Sequence, residues 1–142
     1  MACTTVDTNV YVLGGQWGSN SPSMEVKVFD TTNNTFLPDS TPLPHRQESA
    51  AAMYCTSIGA IALVGGDTSF QTVTTRILAG DFSAWAVGPE IVVPRFQPAL
   101  AQTSVGAVLV GGVVLKPLGD GGYAQASTDV VEIGMKDCAI QQ

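Results

Sequence analysis

The sequence predicts an all-β fold in which one unit is repeated three times. A short apolar run ends on two glycines at three places in the 142-residue chain, over residues 9–15, 60–66 and 106–112. The first glycines of successive pairs, Gly14, Gly65 and Gly111, are 51 and 46 residues apart. A recurrence of this length indicates an array of one supersecondary unit. No window carries the helical i, i+3, i+4, i+7 apolar spacing with caps, so no helix is predicted.

Composition excludes several classes of protein. Apolar residues make up 45% of the chain and charged residues 13%, whereas disorder requires few apolar and many charged residues. The net charge is −6 and the six Lys and Arg residues are scattered, so a nucleic-acid partner is not predicted. No apolar run approaches the roughly 18 residues of a transmembrane helix, so membrane insertion is not predicted.

The sulfur-containing and imidazole side chains predict neither a metal site nor a cofactor. Cys3, Cys55 and Cys138 form no C-x-x-C pair, and a zinc site needs four ligands at short spacings. We interpret the cysteines as buried thiols, with a Cys3–Cys138 disulfide as the alternative. His45, the one histidine, lies beside a proline in a segment typical of a solvated loop.

Each glycine pair is predicted to end the second strand of a hairpin. In the second repeat, residues 49–53 form a first strand candidate and residues 56–59 a turn, and the apolar run over 60–64 follows. Residues 96–103 hold the position of the first strand in the third repeat. These runs are rich in apolar and β-branched residues, which favour strands.

Two further strands are predicted after each glycine pair. Residues 24–29 alternate apolar and polar side chains, which is typical of a strand with one buried face. A polar cluster over 30–35 predicts a turn, and Phe36 then opens a fourth strand. The corresponding positions in the other repeats are 72–78 and Trp85, and then 129–133 and 137–140 after an inserted loop at 116–127.

Four short antiparallel strands in 46–51 residues are typical of one β-propeller blade. The predicted blades, of four strands each, span approximately 1–43, 44–92 and 93–142 of a single unit over 1–142. Counting back from Gly14 without gaps places Cys3 opposite Tyr54, so most of the first strand is expected to precede Met1. Because propellers use about four to eight blades, we expect the chain to be part of a longer propeller, or a second copy to complete the ring.

The blade pattern resembles the Kelch repeat family. In that family an apolar run closes on two glycines and is followed by an aromatic residue, six further residues and a second aromatic, a pattern that Gly14–Gly15, Phe29 and Phe36 match. Residues 44–46 and 94–95, each with Pro and Arg ahead of a first strand, resemble the start of the family's repeat. The second repeat departs from the pattern in its shortened turn before Trp85, and the third lacks the aromatic pair.

The candidate site lies on one edge of the predicted blades. Strand alternation places the loops that follow the glycine pairs on the same edge as the loops that lead into first strands. The candidate partner-binding residues on this edge are Trp17, His45, Arg46, Phe70, Arg95, Phe96 and Tyr123. Arginine and aromatic side chains are enriched at binding surfaces. The alternative is that Arg46 and Arg95 are structural and bind backbone carbonyls or acidic groups.

The resemblance implies a non-catalytic protein-binding or scaffold module, since Kelch propellers bind partners through such an edge. The implied partner is another protein or a second copy of the chain. The alternative is a piece of a carbohydrate-active enzyme or of a copper oxidase similar to galactose oxidase, with its catalytic residues outside this chain. One histidine and three tyrosines cannot supply such a copper site. No catalytic residue is therefore predicted, and the question of enzymatic activity stays open.

Overall fold

The computed structural model describes residues 1–17, 21–66, 76–78, 82–88, 95–103, 106–117, 123–126, 130–133, 135–136 and 139–140. Every regular element in these ranges is a β-strand, and the strands pair antiparallel in each sheet. The prediction of an all-β fold is therefore confirmed. No helix among these residues has the length and apolar character needed to cross a membrane.

The strands of the described residues are numbered in chain order. They are β1 (Ala2–Val6), β2 (Asn9–Leu13), β3 (Gln16–Trp17), β4 (Ser21–Pro22), β5 (Val26–Asp30), β6 (Thr35–Phe36), β7 (Ala51–Cys55), β8 (Ala60–Val64), β9 (Arg76–Leu78), β10 (Trp85–Val87), β11 (Arg95–Phe96), β12 (Ala99–Thr103), β13 (Gly106–Val110), β14 (Val113–Pro117), β15 (Tyr123–Ala126), β16 (Val130–Ile133), β17 (Met135–Lys136) and β18 (Ala139–Ile140).

The first sheet has the order β1-β2-β5-β6, and the second sheet has the order β7-β8-β9-β10. In the second sheet the four strands are consecutive in the chain. In the first sheet the short hairpin of β3 and β4 lies between β2 and β5 in the chain, and β5 pairs antiparallel with β2. The aromatic rings of Phe29 and Phe36 face each other across β5 and β6, with centroids 5.2 Å apart in an edge-on arrangement.

The first strand is not shortened, and the expectation that it begins before Met1 is wrong. β1 has five residues, as β7 and β12 do. Two residues, 7 and 8, connect β1 to β2, whereas the turn between β7 and β8 has four residues, 56–59. This difference shifts the alignment by two positions, so Thr5 and not Cys3 corresponds to Tyr54. Asp7 takes a positive φ of 50° in the tight turn.

The third sheet has three strands within the described part of the chain, in the order β12-β13-β16. A fourth strand was expected over 137–140, but β18 pairs with β17 and not with β16. The segment 116–127, predicted as an inserted loop, contains β15 and the end of β14. These two strands form a hairpin that also pairs with β11.

The three sheets lie side by side, with the second sheet between the other two. β1 lies against β7 and β7 against β12, so the first strands of successive sheets are neighbours. Ile61 and Leu63 on one face of β8 pack in a cluster with the first sheet, and Ala62 and Val64 on the other face pack with the third. β8 is buried along its whole length for this reason. Each buried Leu or Ile contributes about 1.5–3 kcal/mol of hydrophobic stabilisation.

Aromatic residues strengthen the contact between the first and second sheets. Phe82 packs against Tyr11 with ring centroids 5.3 Å apart, and Trp85 donates its indole N–H to the carbonyl oxygen of Thr41 at 3.2 Å. Burial raises the pKa of the Tyr11 phenol, and the nearby Tyr54 raises it further. Large aromatic residues therefore fill the space between these two sheets.

The polar turn after β5 predicts a measurable pH dependence of stability. Asp30 accepts hydrogen bonds from the backbone N–H of Thr32 at 2.8 Å and of Asn33 at 3.3 Å, and from the Asn33 amide at 2.6 Å. These bonds, with the Asn33 side chain first, lower the pKa of Asp30. The stabilisation is therefore fully present above the ordinary pKa of Asp, about 3.9, and is lost as the pH falls through the lowered value.

We expect Asp30→Asn to lower the urea midpoint at neutral pH and to remove part of the decline in stability below about pH 4. The measurement is urea unfolding at several pH values between about 7 and 2 for both proteins. Asp7→Asn serves as the control in the neighbouring turn. Parallel pH profiles for wild type and Asp30→Asn would show that the hydrogen bonds do not contribute.

Candidate functional site

The three glycine pairs adopt one conformation. The first glycines, Gly14, Gly65 and Gly111, have φ values of 57°, 70° and 65°. The second glycines have φ values of 109°, 95° and 92°. Positive φ values favour glycine, which has no Cβ, and they turn the chain sharply out of the second strand.

The second glycine of a pair binds the loop that leads into the next sheet. The N–H of Gly15 donates to the carbonyl oxygen of Gln47 at 2.9 Å, and the N–H of Gly66 donates to the carbonyl oxygen of Arg95 at 3.0 Å. Gln47 and Arg95 each lie four residues before a first strand, β7 and β12 respectively. The same backbone hydrogen bond therefore joins the first sheet to the second and the second to the third.

The side chains of these two residues continue the linkage to the next glycine pair. The Gln47 Nε2 donates to the carbonyl oxygen of Gly65 at 2.5 Å, and the Arg95 Nη1 donates to that of Gly111 at 2.9 Å. Gln47 is 2% exposed and Arg95 0% exposed. We call Gln47 and Arg95 the bridge residues. They join the three glycine pairs in a series of hydrogen bonds along one edge of the sheets.

The glycines also allow a close approach of two backbones. A Cβ atom on Gly65 would lie 2.6 Å from the carbonyl oxygen of Arg95, and one on Gly66 would lie 2.6 Å from that of Glu48. A Cβ atom on Gly14 would meet the carbonyl oxygen of Gln47. In the structure, the loop leading into the following sheet makes the contact.

Further bonds hold the loops of this edge together. Ser23 donates its N–H to Gly15 O at 2.8 Å, and Gln47 donates its N–H to Ser23 O at 3.0 Å. Gln97 donates its N–H to Ser49 O at 2.6 Å. We call the surface formed by residues 14–16, 22–25, 44–50 and 95–98 the glycine edge. Its backbone is fixed by hydrogen bonds that connect neighbouring repeats.

Two of the predicted site residues are exposed on the glycine edge. His45 and Arg46 lie on the loop before Gln47, and both are exposed. The Arg46 Nη1 donates to the carbonyl oxygen of Pro22 at 3.0 Å, which leaves further guanidinium donors at the surface. Phe96, directly after a bridge residue, is half-buried.

Arg95 occupies a different environment from Arg46. It is fully buried, so the structural interpretation of this arginine applies and we remove it from the candidate contact residues. Trp17 lies in β3, and Tyr123 lies in β15 opposite Pro117. Only the backbone of these two residues is described. Phe70 lies outside the described residues.

The bridging role of Gln47 was missed in the sequence, where this residue is only one of several amides near the edge. The position of Gln47 in the repeat could have indicated this role, since Gln47 and Arg95 each lie four residues before a first strand, β7 and β12 respectively. Leu43 was also missed. It is 1% exposed, and its Cδ1 would lie 3.1 Å from a Cβ on Gly14.

The cysteines differ in environment. Cys55 is buried in the cluster between the second and third sheets, as predicted. Cys3 is an exposed free thiol on β1, so the expectation of burial is wrong for it. Alternation along β1 places Cys3 on the face opposite to Ala2 and Thr4. Cys138 lies outside the described residues.

A cavity of about 380 Å³ lies on the first sheet beside its glycine pair. Its lining residues are Met1, Val12, Gly14, Gly15, Gln16, Glu25 and Lys27. The Lys27 Nζ lies 2.7 Å from Asp39 Oδ1 and 4.0 Å from Glu25 Oε2. The hydrogen bond to Asp39 raises the pKa of Lys27. Within the described ranges, no group of three or more His, Cys, Asp or Glu residues could hold a metal ion.

The fold and the glycine edge together define an all-β protein of adjacent antiparallel sheets linked by hydrogen bonds at their glycine pairs. A scan against models of known protein families found no match to the chain, and a search of curated proteins likewise found none.

Proposed function

We propose that the chain is a non-catalytic protein-binding module built from Kelch-type β-propeller blades. The first and second sheets support this assignment, because each has four antiparallel strands in chain order. The adjacency of β1, β7 and β12 supports it as well, since first strands are neighbours around a propeller axis. The glycine pairs and Phe29–Phe36 add the sequence pattern of that family.

The glycine edge is the proposed contact surface. The observation that carries the proposal is the position of exposed His45 and Arg46 directly before the buried bridge residue Gln47. Gln47 is bonded through its carbonyl oxygen to Gly15 and through its side chain to Gly65, so the neighbouring loop has a fixed backbone. A surface that is ordered before binding loses less conformational entropy when a partner docks.

Arg46 suits the role of a contact residue. Arginine is among the residues most often found at the energetic centres of interfaces, and its planar fork offers five donors. In this chain one nitrogen binds Pro22 O at 3.0 Å, which orients the guanidinium at the surface. The imidazole of His45 beside it adds a flat surface and a further donor or acceptor.

A photo-crosslinking experiment tests the proposal. A benzophenone amino acid is placed at His45 and, in a separate protein, at Thr32 in the exposed turn after β5. We expect a protein from the native extract to be captured through position 45 and not through position 32. Equal capture from both positions would argue against the glycine edge as the contact surface.

The captured protein is then purified and its affinity measured directly. Arg46→Ala is expected to weaken binding by about 10-fold or more, because truncating an interface arginine commonly costs about 1–2 kcal/mol. Thr32→Ala serves as the matched control and should leave the dissociation constant within about 2-fold. Unchanged affinity for Arg46→Ala would contradict the proposed role of this loop.

A further inference from the structure

Among the first, second and third sheets of the described chain, the first and third each have one face that neither of the other two covers. On the first sheet this face carries the residues that alternate with buried Tyr11 and Leu13. We call it the open first face, and it carries Cys3, Thr5, Val10, Val12, Phe29 and Phe36. The open third face is formed in the same way on β12 and β13. It carries Ala99, Ala101, Val108 and Val110.

The chain itself contains two examples of how such faces pack. Leu13 and Tyr11 of the first sheet lie in one buried cluster with Ile61 and Leu63 of the second. The next junction repeats the arrangement, with Ala62 and Val64 of the second sheet buried against Ala107 and Leu109 of the third. In both junctions, the residue that directly precedes the glycine pair packs on the following sheet.

Comparison of equivalent positions in the three repeats shows which contact the open third face lacks. Val110 directly precedes its glycine pair, as Leu13 and Val64 precede theirs. Leu13 is 2% exposed and Val64 0% exposed, whereas Val110 is 40% exposed. The open third face therefore corresponds to the faces of the first and second sheets that the next sheet covers. In the third sheet this face is exposed.

The open first face lacks the contact that the second and third sheets make with the sheet before them. Phe36 in β6 has the register position that Trp85 has in β10, at the outer strand. Trp85 is half-buried against the first sheet and bonded to Thr41, whereas Phe36 is 64% exposed. Val10 and Val12 correspond in the same way to Ile61 and Leu63, which are buried. The open first face therefore corresponds to the faces of the second and third sheets that pack against the sheet before them.

We infer that a second copy of this chain covers both faces. The open third face of one copy docks on the open first face of the other, and the twofold-related contact closes six sheets into one ring. The number of sheets falls within the four to eight of known propellers. This inference rests on the blade architecture of the proposed function, but not on the glycine edge as a partner surface.

The two open faces complement each other within one chain. Each corresponds, by position in the repeat, to one side of the same kind of internal junction. A second copy of the chain therefore supplies the missing partner of both faces.

The mass of the chain in solution tests the inference. Light scattering after size exclusion is expected to give about 29 kDa at micromolar concentration, twice the 14.7 kDa of one chain. Val110→Arg places a charge on the open third face and is expected to raise the dissociation constant of the dimer by about 100-fold or more. Val87→Arg, at a 66% exposed position in the second sheet, is the matched control and should remain dimeric.

Formation of a disulfide between the two copies tests the interface without a substitution that destabilises it. In a Cys138→Ser background, Ala99→Cys is expected to form a disulfide with Cys3 of the second copy, because the equivalent residues Ala2 and Ala52 share one cluster. Ala86→Cys in β10 is the control and should remain monomeric on a non-reducing gel. Replacing Cys3 with serine should abolish the trapped dimer.

A wild-type monomer, or an open-ended series of larger oligomers, would overturn the inference. Equal masses for wild type and folded Val110→Arg would overturn it as well, with circular dichroism reporting the fold. A monomeric chain that still captures a partner through position 45 would leave the proposed function intact. A dimer that captures nothing through position 45 would contradict the proposed function and leave this inference standing.

Discussion

Gly65→Ala is expected to lower the free energy of unfolding by about 4 kcal/mol, close to the largest effects that single substitutions produce. Gly65 has φ +70°, and a Cβ atom there would lie 2.6 Å from the carbonyl oxygen of Arg95 and 3.3 Å from Cγ of Pro98. The left-handed conformation alone costs an alanine about 1–2 kcal/mol. The remainder comes from forcing apart two backbones that Gly66 and Arg95 hold together at 3.0 Å.

Gly59→Ala is the matched control. Gly59 has φ +61°, nearly that of Gly65, but the nearest atom to an added Cβ is the Tyr54 hydroxyl at 3.8 Å. This variant therefore experiences the backbone strain without the clash, and we expect a loss of about 1 kcal/mol. Urea unfolding of the two variants separates the contributions. Equal losses would contradict the close approach of the loop at Gly65.

Gln47→Glu is expected to lower the free energy of unfolding by about 3–5 kcal/mol at neutral pH. Gln47 is 2% exposed, and its Nε2 donates to Gly65 O at 2.5 Å. Glutamate has nearly the same shape, but its carboxylate cannot donate, and it places a buried charge against a carbonyl oxygen. The lost donor costs about 1–3 kcal/mol, and the uncompensated charge adds to it.

The pH dependence distinguishes the lost donor from a packing defect. Burial would raise the folded-state pKa of the carboxyl that Gln47→Glu introduces above its unfolded value of about 4.3. The loss of stability is therefore complete above the folded-state pKa and diminishes as the pH falls through it, because a protonated carboxyl can donate to Gly65 O.

Gln47→Leu is the control for this prediction. It removes the donor without introducing a titratable group, and it should lose about 1–3 kcal/mol at every pH. Urea unfolding at neutral and mildly acidic pH measures both variants. If the losses of Gln47→Glu and Gln47→Leu change with pH in the same way, Gln47 does not serve as the buried donor.

The strands and glycine pairs could be predicted because their signals are local. The alternation in β5, the apolar run of β8 and the conformational demand on Gly14, Gly65 and Gly111 depend on neighbouring residues only. Segment 116–127 is predicted as an inserted loop because it delays the third strand of the repeat, and it contains three glycines and no β-branched residue. In the structure, the hairpin of β14 and β15 also pairs with β11, and a pairing between strands that are separated in the chain produces no periodic pattern in the sequence.

The candidate site could be predicted only in part for a similar reason. The sequence treats Arg46 and Arg95 alike, as contact residues or as structural residues, because each lies near a proline before a first strand. Their different burial depends on which carbonyl each guanidinium reaches, Pro22 O for Arg46 and Gly111 O for Arg95. That choice is set by the packing of one repeat on the next, which composition and spacing do not encode.

The central claim is that one hydrogen-bond pattern at the glycine pairs joins consecutive sheets. Scalar couplings across hydrogen bonds, measured by NMR, identify donor and acceptor together. We predict couplings from the Gly15 nitrogen to the Gln47 carbonyl carbon and from the Gly66 nitrogen to that of Arg95, with Gly14 to Glu25 as a reference within one sheet. A clear Gly14–Glu25 coupling without the two couplings between sheets would contradict the account.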